Sequence, residues 1–157
     1  MAETDKRAVN NNFRQATILV VEDNQDHWTL IKAALQESLP EVSVVWVASA
    51  EEASTYLENC VANEQPLPKL MLLDLYLPEA EPAWQLLRTV KTPNSRFIRM
   101  PVVAFSYSTN REDISELYTF GGTSYITKPS DYNQWLLYFE TMRSYWWETV
   151  TLPSERY

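Results

Sequence analysis

From Thr17 onward the chain alternates short apolar runs with longer stretches whose apolar residues recur at helical spacing. The runs are Ile18–Val21, Val42–Val47, Leu70–Asp74, Pro101–Phe105 and Thr123–Ile126. They are β-branched or Leu-rich, and the first, third and fourth are continuously apolar up to their last residues, as parallel strands buried on both faces should be. Between them, Leu30, Ile31, Ala34 and Leu35 mark one face of a helix over 26–38. A second helix over 50–60 opens with Ser49 and Glu52 at capping-box spacing. A third over 82–92 carries Pro82 in its first turn and Pro93 beyond its end. A fourth over 110–119 starts at Asn110 and closes at Gly121-Gly122. The last, over 131–147, places Trp135, Phe139, Met142 and Trp146 on one stripe that should face the sheet. Leu136, Leu137, Tyr138, Tyr145 and Trp147 fall off that stripe. The pattern predicts an α/β fold, a doubly wound five-stranded parallel sheet with five helices. Residues 1–16 read as a flexible polar tail, 17–148 as the folded domain and 149–157 as a C-terminal extension.

The 157 residues fit one domain. A net charge of -8 repels phosphate backbones and anionic membranes while attracting cations, so neither nucleic acid nor membrane is an expected partner. Cys60 and His27 are each the single residue of their type, which excludes an internal disulfide, a thiolate zinc cluster and a multi-histidine metal site. No apolar run is long enough to span a bilayer and the N-terminus lacks a signal-peptide core, so a cytoplasmic protein is expected.

In a doubly wound sheet the ligand crevice lies beyond the carboxyl ends of the strands. Here the first strand ends in Glu22-Asp23, the third in Asp74 and the fourth in Ser106, and the fifth leads into Lys128-Pro129. Three carboxylates on one edge repel one another unless a cation joins them, and Mg²⁺ suits a site of few carboxylates plus phosphate. A lysine and a hydroxyl on neighbouring strands can then hold a transferred phosphoryl group, with Asp74 as the nucleophile that forms an acyl phosphate. Singly, each residue has an ordinary explanation: a carboxylate after a strand is usually a loop residue or a helix cap. The joint placement on four strand ends, in order, has no such explanation. His27 reads as a partly buried structural histidine and Cys60 as a packing residue.

The segments ILVVEDN, LMLLDLYLP, VVAFS and SYITKP together resemble the receiver domain of two-component response regulators, with its flavodoxin-like fold. That resemblance implies that Asp74 is the phospho-acceptor and that Glu22, Asp23, Asp74 and the Tyr76 carbonyl surround Mg²⁺. It implies Ser106 as the switch hydroxyl, Lys128 as the cation on the phosphoryl group, Tyr125 as the aromatic that follows activation, and a cis Lys128–Pro129 bond. The segments Ser106–Asp113 and Tyr145–Pro153 are similar to those of single-domain regulators that partner phytochrome-type histidine kinases. The expected protein is therefore a switch rather than a turnover enzyme, phosphorylated by a sensor histidine kinase of phytochrome type and read through the helix 4–strand 5–helix 5 face. The surplus aromatics of the last helix, with Tyr118 on the fourth, suggest a homodimer or a kinase-docking surface. A receiver-like interaction module without phosphorylation is the alternative. An Asp-nucleophile phosphohydrolase lacks its second carboxylate, since that position is Tyr76, and a flavodoxin-type carrier is opposed by acids where its phosphate would lie. Two departures bear on rates: Pro82 replaces the usual glycine eight residues after the acceptor, and Tyr107 replaces a small residue after the switch hydroxyl. Tyr76 and Tyr107 should together hinder water and small donors at Asp74.

Overall fold

The computed structural model describes residues 10–153. Five strands, β1 (Thr17–Val21), β2 (Ser43–Val47), β3 (Leu70–Asp74), β4 (Val102–Ser106) and β5 (Ser124–Thr127), form one parallel sheet in the order β2-β1-β3-β4-β5. The register sets Val21 against Leu73 and Asp74 against Phe105, so successive strands end at a common edge. Five long helices connect and flank them: α1 (Gln25–Ser38), α2 (Ala50–Ala62), α3 (Ala80–Lys91), α4 (Arg111–Thr119) and α5 (Tyr132–Met142). Alternation along the strands divides the core into two layers. Leu19, Val21, Met71 and Leu73 pack with α2, α3 and α4, whereas Ile18, Val20, Leu70 and Leu72 pack with α1 and α5.

Local chemistry sets the helix ends. Asn24, Ser49, Asn110 and Asp131 each cap a helix by accepting a backbone N–H bond, from His27, Glu52, Glu112 and Gln134 respectively. After α4, Gly121 adopts φ +94° while Gly121 N–H donates to Tyr118 O and Gly122 N–H to Leu117 O. This paired closure needs a left-handed residue that only glycine adopts without strain. Helix α3 starts two residues earlier than expected, leaving Pro82 as its third residue, where its missing N–H costs no intrahelical bond.

The end of the chain departs from the sequence expectation. After Met142 the helix widens into a π-turn over Arg143–Trp147, with Glu148 N–H donating to Arg143 O and Val150 N–H to Tyr145 O. The extra residue per turn shifts the phase by one position. Trp147, expected off the stripe, is fully buried, and Trp146, expected on it, is half-buried. Leu137, Tyr138 and Tyr145 remain exposed.

The expected tail differs as well. Residues 1–9 and 154–157 lie outside the described residues, but 10–13 are helical and Asn12 is buried. Its amide donates to Trp147 O (3.1 Å) and Val150 O, and its Oδ1 accepts from Leu152 N–H (2.9 Å). Trp147→Ala is therefore expected to cost about 3–5 kcal/mol of unfolding free energy in urea titrations, whereas Tyr145→Ala should stay within about 0.5 kcal/mol. Equal effects would contradict the shifted phase.

Candidate functional site

The carboxyl ends of β1, β3, β4 and β5 open on a cleft of about 540 Å³ whose walls include Glu22, Asp23, Asp74, Tyr76, Ser106 and Lys128. Five of these are the strand-end residues singled out in the sequence and the sixth, Tyr76, is the one the resemblance added; the fold brings all six together. One oxygen from each of Glu22, Asp23 and Asp74 lies within 4.8 Å of the others. Glu22 and Asp74 are buried and Asp23 is exposed, so the cluster opens to solvent on one side. Glu22 is tied down by Asn24 N–H, which donates to its Oε1, and Asp74 by Tyr76 N–H, which donates to its Oδ1, each at 3.1 Å.

Lys128, also buried, reaches across β4 with its Nζ 5.4 Å from the centre of the Phe105 ring. Its ammonium lies 2.9 Å from Glu22 Oε2 and 3.0 Å from Asp74 Oδ2. One cation thus faces two buried carboxylates, and the imbalance shows in the acid. Burial, and then the charge of Asp74, push the Glu22 carboxyl up to about 7, against the opposing pull of Lys128. The set is made of hard oxygen donors with excess negative charge, a chemistry that fits Mg²⁺ or Mn²⁺.

Ser106 is buried beside this group, and its Oγ accepts from Ser108 N–H at 3.1 Å. Tyr125 stands one contact further out: its hydroxyl donates to Ser108 O at 2.7 Å. Ser108 and Tyr76 both donate hydroxyl bonds to Asp113 Oδ2, each at 2.7 Å, which draws the Tyr76 ring toward the start of α4. Of the two tyrosines expected over the acceptor, only Tyr107 lies over Lys128, with its ring centre 5.3 Å from Nζ. No cis peptide bond occurs among the described residues, so the Lys128–Pro129 bond, expected cis, is trans.

The residue that sequence reasoning missed is His27. It lines the cleft, with Nδ1 3.0 Å from Lys128 Nζ and Nε2 3.3 Å from the Tyr107 hydroxyl. Burial and the adjacent ammonium hold its pKa below the ordinary histidine value, so the ring is neutral near pH 7. The available signal was its place in the first turn of α1, four residues after Asp23 at the crevice edge.

Comparison with known proteins agrees with this geometry. The response regulator receiver domain profile matches residues 18–139. The chain belongs to the response regulator receiver domain family. Response regulator Rcp1 of Synechocystis sp. is 30% identical over 138 residues, covering 87% of this chain and 92% of that protein. The phosphorylated cyanobacterial phytochrome response regulator RcpA superposes with a TM-score of 0.78 at 35% identity, over 89% of this chain and 99% of that one. The Mn²⁺-bound form of Rcp1 gives 0.76 at 29% identity, over 88% and 99%. Receiver domains are the signalling components of two-component systems, and they bind Mg²⁺ or Mn²⁺ in an acidic pocket. Among the described residues no helix is long and apolar enough to cross a membrane.

A metal ion held by Glu22 would compete with protons for its carboxylate. The thermal stabilisation given by added Mg²⁺ should accordingly be larger near about pH 8, where Glu22 is ionised, than near about pH 5.5, where it is protonated. Equal increments in melting scans at the two pH values would remove Glu22 from the binding set.

Proposed function

We propose that this receiver domain is a phosphorylation switch of the phytochrome-associated kind, in which a sensor histidine kinase passes a phosphoryl group to Asp74. The observation that carries the reading is Lys128 set between two buried carboxylates, Glu22 and Asp74, beside a buried hydroxyl. Glu22, Asp23, Asp74 and the Tyr76 carbonyl would hold Mg²⁺, which screens the approaching phosphoryl oxygens from the acidic site. Asp74 supplies the attacking carboxylate oxygen, and the donor's phosphorus–nitrogen bond breaks as the new phosphorus–oxygen bond forms. Lys128 and Ser106 then face the phosphoryl oxygens as ammonium and hydroxyl donors. Movement of Ser106 is relayed through Ser108 to the Tyr125 hydroxyl on β5, and so to the α4–β5–α5 face. The protein acts as a cytoplasmic signalling component, with self-catalysed phosphoryl transfer and slow hydrolysis as its only chemistry. The alternative, an interaction module without phosphorylation, is disfavoured because every chemical group the transfer needs stands in the cleft.

The same reading includes a homodimer. Leu137, Tyr138 and Tyr145 of the last helix, with Tyr118 of α4, are large apolar side chains left in water. Trp147 takes no part, since it lies in the core.

Incubation with a small acyl phosphate and Mg²⁺ should add one phosphoryl mass to the wild type and none to Asp74→Asn in intact-mass spectra. Asp23→Ala should lose the Mg²⁺ dependence, and Glu22→Gln should weaken it less. Equal labelling of wild type and Asp74→Asn would reject the acceptor. For the dimer, Tyr138→Glu with Tyr145→Glu should lower the sedimentation coefficient at micromolar protein, and an unchanged value would reject this surface.

A further inference from the structure

We propose that His27 is a positioning residue that latches the Tyr107 ring across the mouth of the cleft and so slows the entry of small phosphodonors. The inference rests on the reading of Asp74 as phosphoryl acceptor.

Tyr107 follows Ser106 at the end of β4 and is 58% exposed. A tyrosine with that much surface in water ordinarily samples several rotamers. Here two contacts restrain it. Its ring faces the Lys128 ammonium at 5.3 Å, and its hydroxyl lies 3.3 Å from His27 Nε2. The two rings also meet edge to face, with centroids 5.5 Å apart and planes at 70°.

His27 is itself fixed from two sides. Its backbone N–H donates to the Asn24 cap, which sets the side chain in the first turn of α1. Its Nδ1 lies 3.0 Å from Lys128 Nζ. An ammonium can only donate, so Nδ1 must accept, and a neutral ring then carries its proton on Nε2. Nε2–H therefore points its donor at the Tyr107 oxygen. The imidazole relays the position of Lys128, which is held by Glu22 and Asp74, outward to the tyrosine.

The latch joins α1 to the loop after β4, two walls of the same cleft that are 80 residues apart in sequence. The restrained ring is part of the cleft wall that a small donor passes on its way to Asp74. Loss of the His27 contact leaves Tyr107 held by Lys128 alone, free to swing into solvent.

The test follows labelling by acetyl phosphate with Mg²⁺ in wild type, His27→Ala, His27→Gln, Tyr107→Phe, the His27→Ala/Tyr107→Phe double variant and Asp74→Asn, by intact-mass time courses. His27→Ala and Tyr107→Phe should each label about 2- to 10-fold faster than wild type, the range that one net hydrogen bond allows. The double variant should be no faster than either single variant, because both remove the same contact. His27→Gln should stay near the wild-type rate, since its amide offers an acceptor and a donor at similar separation. Mg²⁺ affinity, read from tryptophan fluorescence, should agree between wild type and His27→Ala within about twofold. An unchanged rate in His27→Ala, or strictly multiplicative effects in the double variant, would overturn the latch while leaving Asp74 as acceptor. A large loss of Mg²⁺ affinity would also overturn it, by placing the effect of His27 in the metal site. Labelling of Asp74→Asn at the wild-type rate would instead overturn the acceptor, and the latch with it.

Discussion

Two buried carboxylates that share one sheet edge with a single ammonium impose the governing constraint on this protein. Each buried charge loses several kcal/mol of hydration, and mutual repulsion adds to the cost in a weakly screening interior. Glu22 and Asp74 can be held there only because Lys128 is delivered between them. That delivery depends on the whole strand order: β1 and β3 are neighbours, but β5 lies beyond β4, so the lysine reaches past β4, where its Nζ stands 5.4 Å from the centre of the Phe105 ring. The core layers, the common strand ends and the α1 cap all serve to keep three charged atoms in register. The arrangement is not neutral, and the residual negative charge is what makes the edge a place for a cation and then for a phosphoryl group.

Features that depend on nearby residues were legible in the sequence. Ser49 and Asn110 announce helix starts because a cap is a local hydrogen bond, and Gly121 announces a helix end because its φ is a property of one residue. The strand-end acids, hydroxyl and lysine were legible because the α/β alternation alone fixes where strand ends lie. Trp147 was not. The stripe from Trp135 to Met142 presumes 3.6 residues per turn, and nothing in the residues Arg143–Trp147 marks the wider turn that rotates Trp147 inward. Asn12 sits in an Asn-rich segment, and its importance comes from carbonyls more than 130 residues away. The partial burial of His27 was read correctly, but its place in the cleft was hidden for a similar reason: its neighbours Lys128 and Tyr107 are brought to it only by the folded sheet.

The two ends of the strands are built on different principles. At the carboxyl edge, charge is concentrated and incompletely balanced. At the far end of α1, hydrogen bonds and a matched pair of opposite charges hold the chain together. Arg143 donates to Ser38 O, pairs with Glu41 at 2.6 Å and lies 5.1 Å from the Phe13 ring centre. Together with Asn12 these contacts fasten the first and last of the described segments to the α1–α5 layer. A frame anchored at one end allows the other to carry unfavourable electrostatics without loss of the fold.

Trp46 gives the site a property of a different kind. Its indole N–H donates to the Glu22 carbonyl oxygen at 2.7 Å, and its ring stacks on Trp28 with centroids 5.3 Å apart and planes 9° from parallel. The peptide unit that carries Glu22 is thereby wired to a chromophore on the edge strand. Any event that changes the field or the backbone position at Glu22 changes the surroundings of an emitting indole, so the protein contains its own optical gauge of that edge.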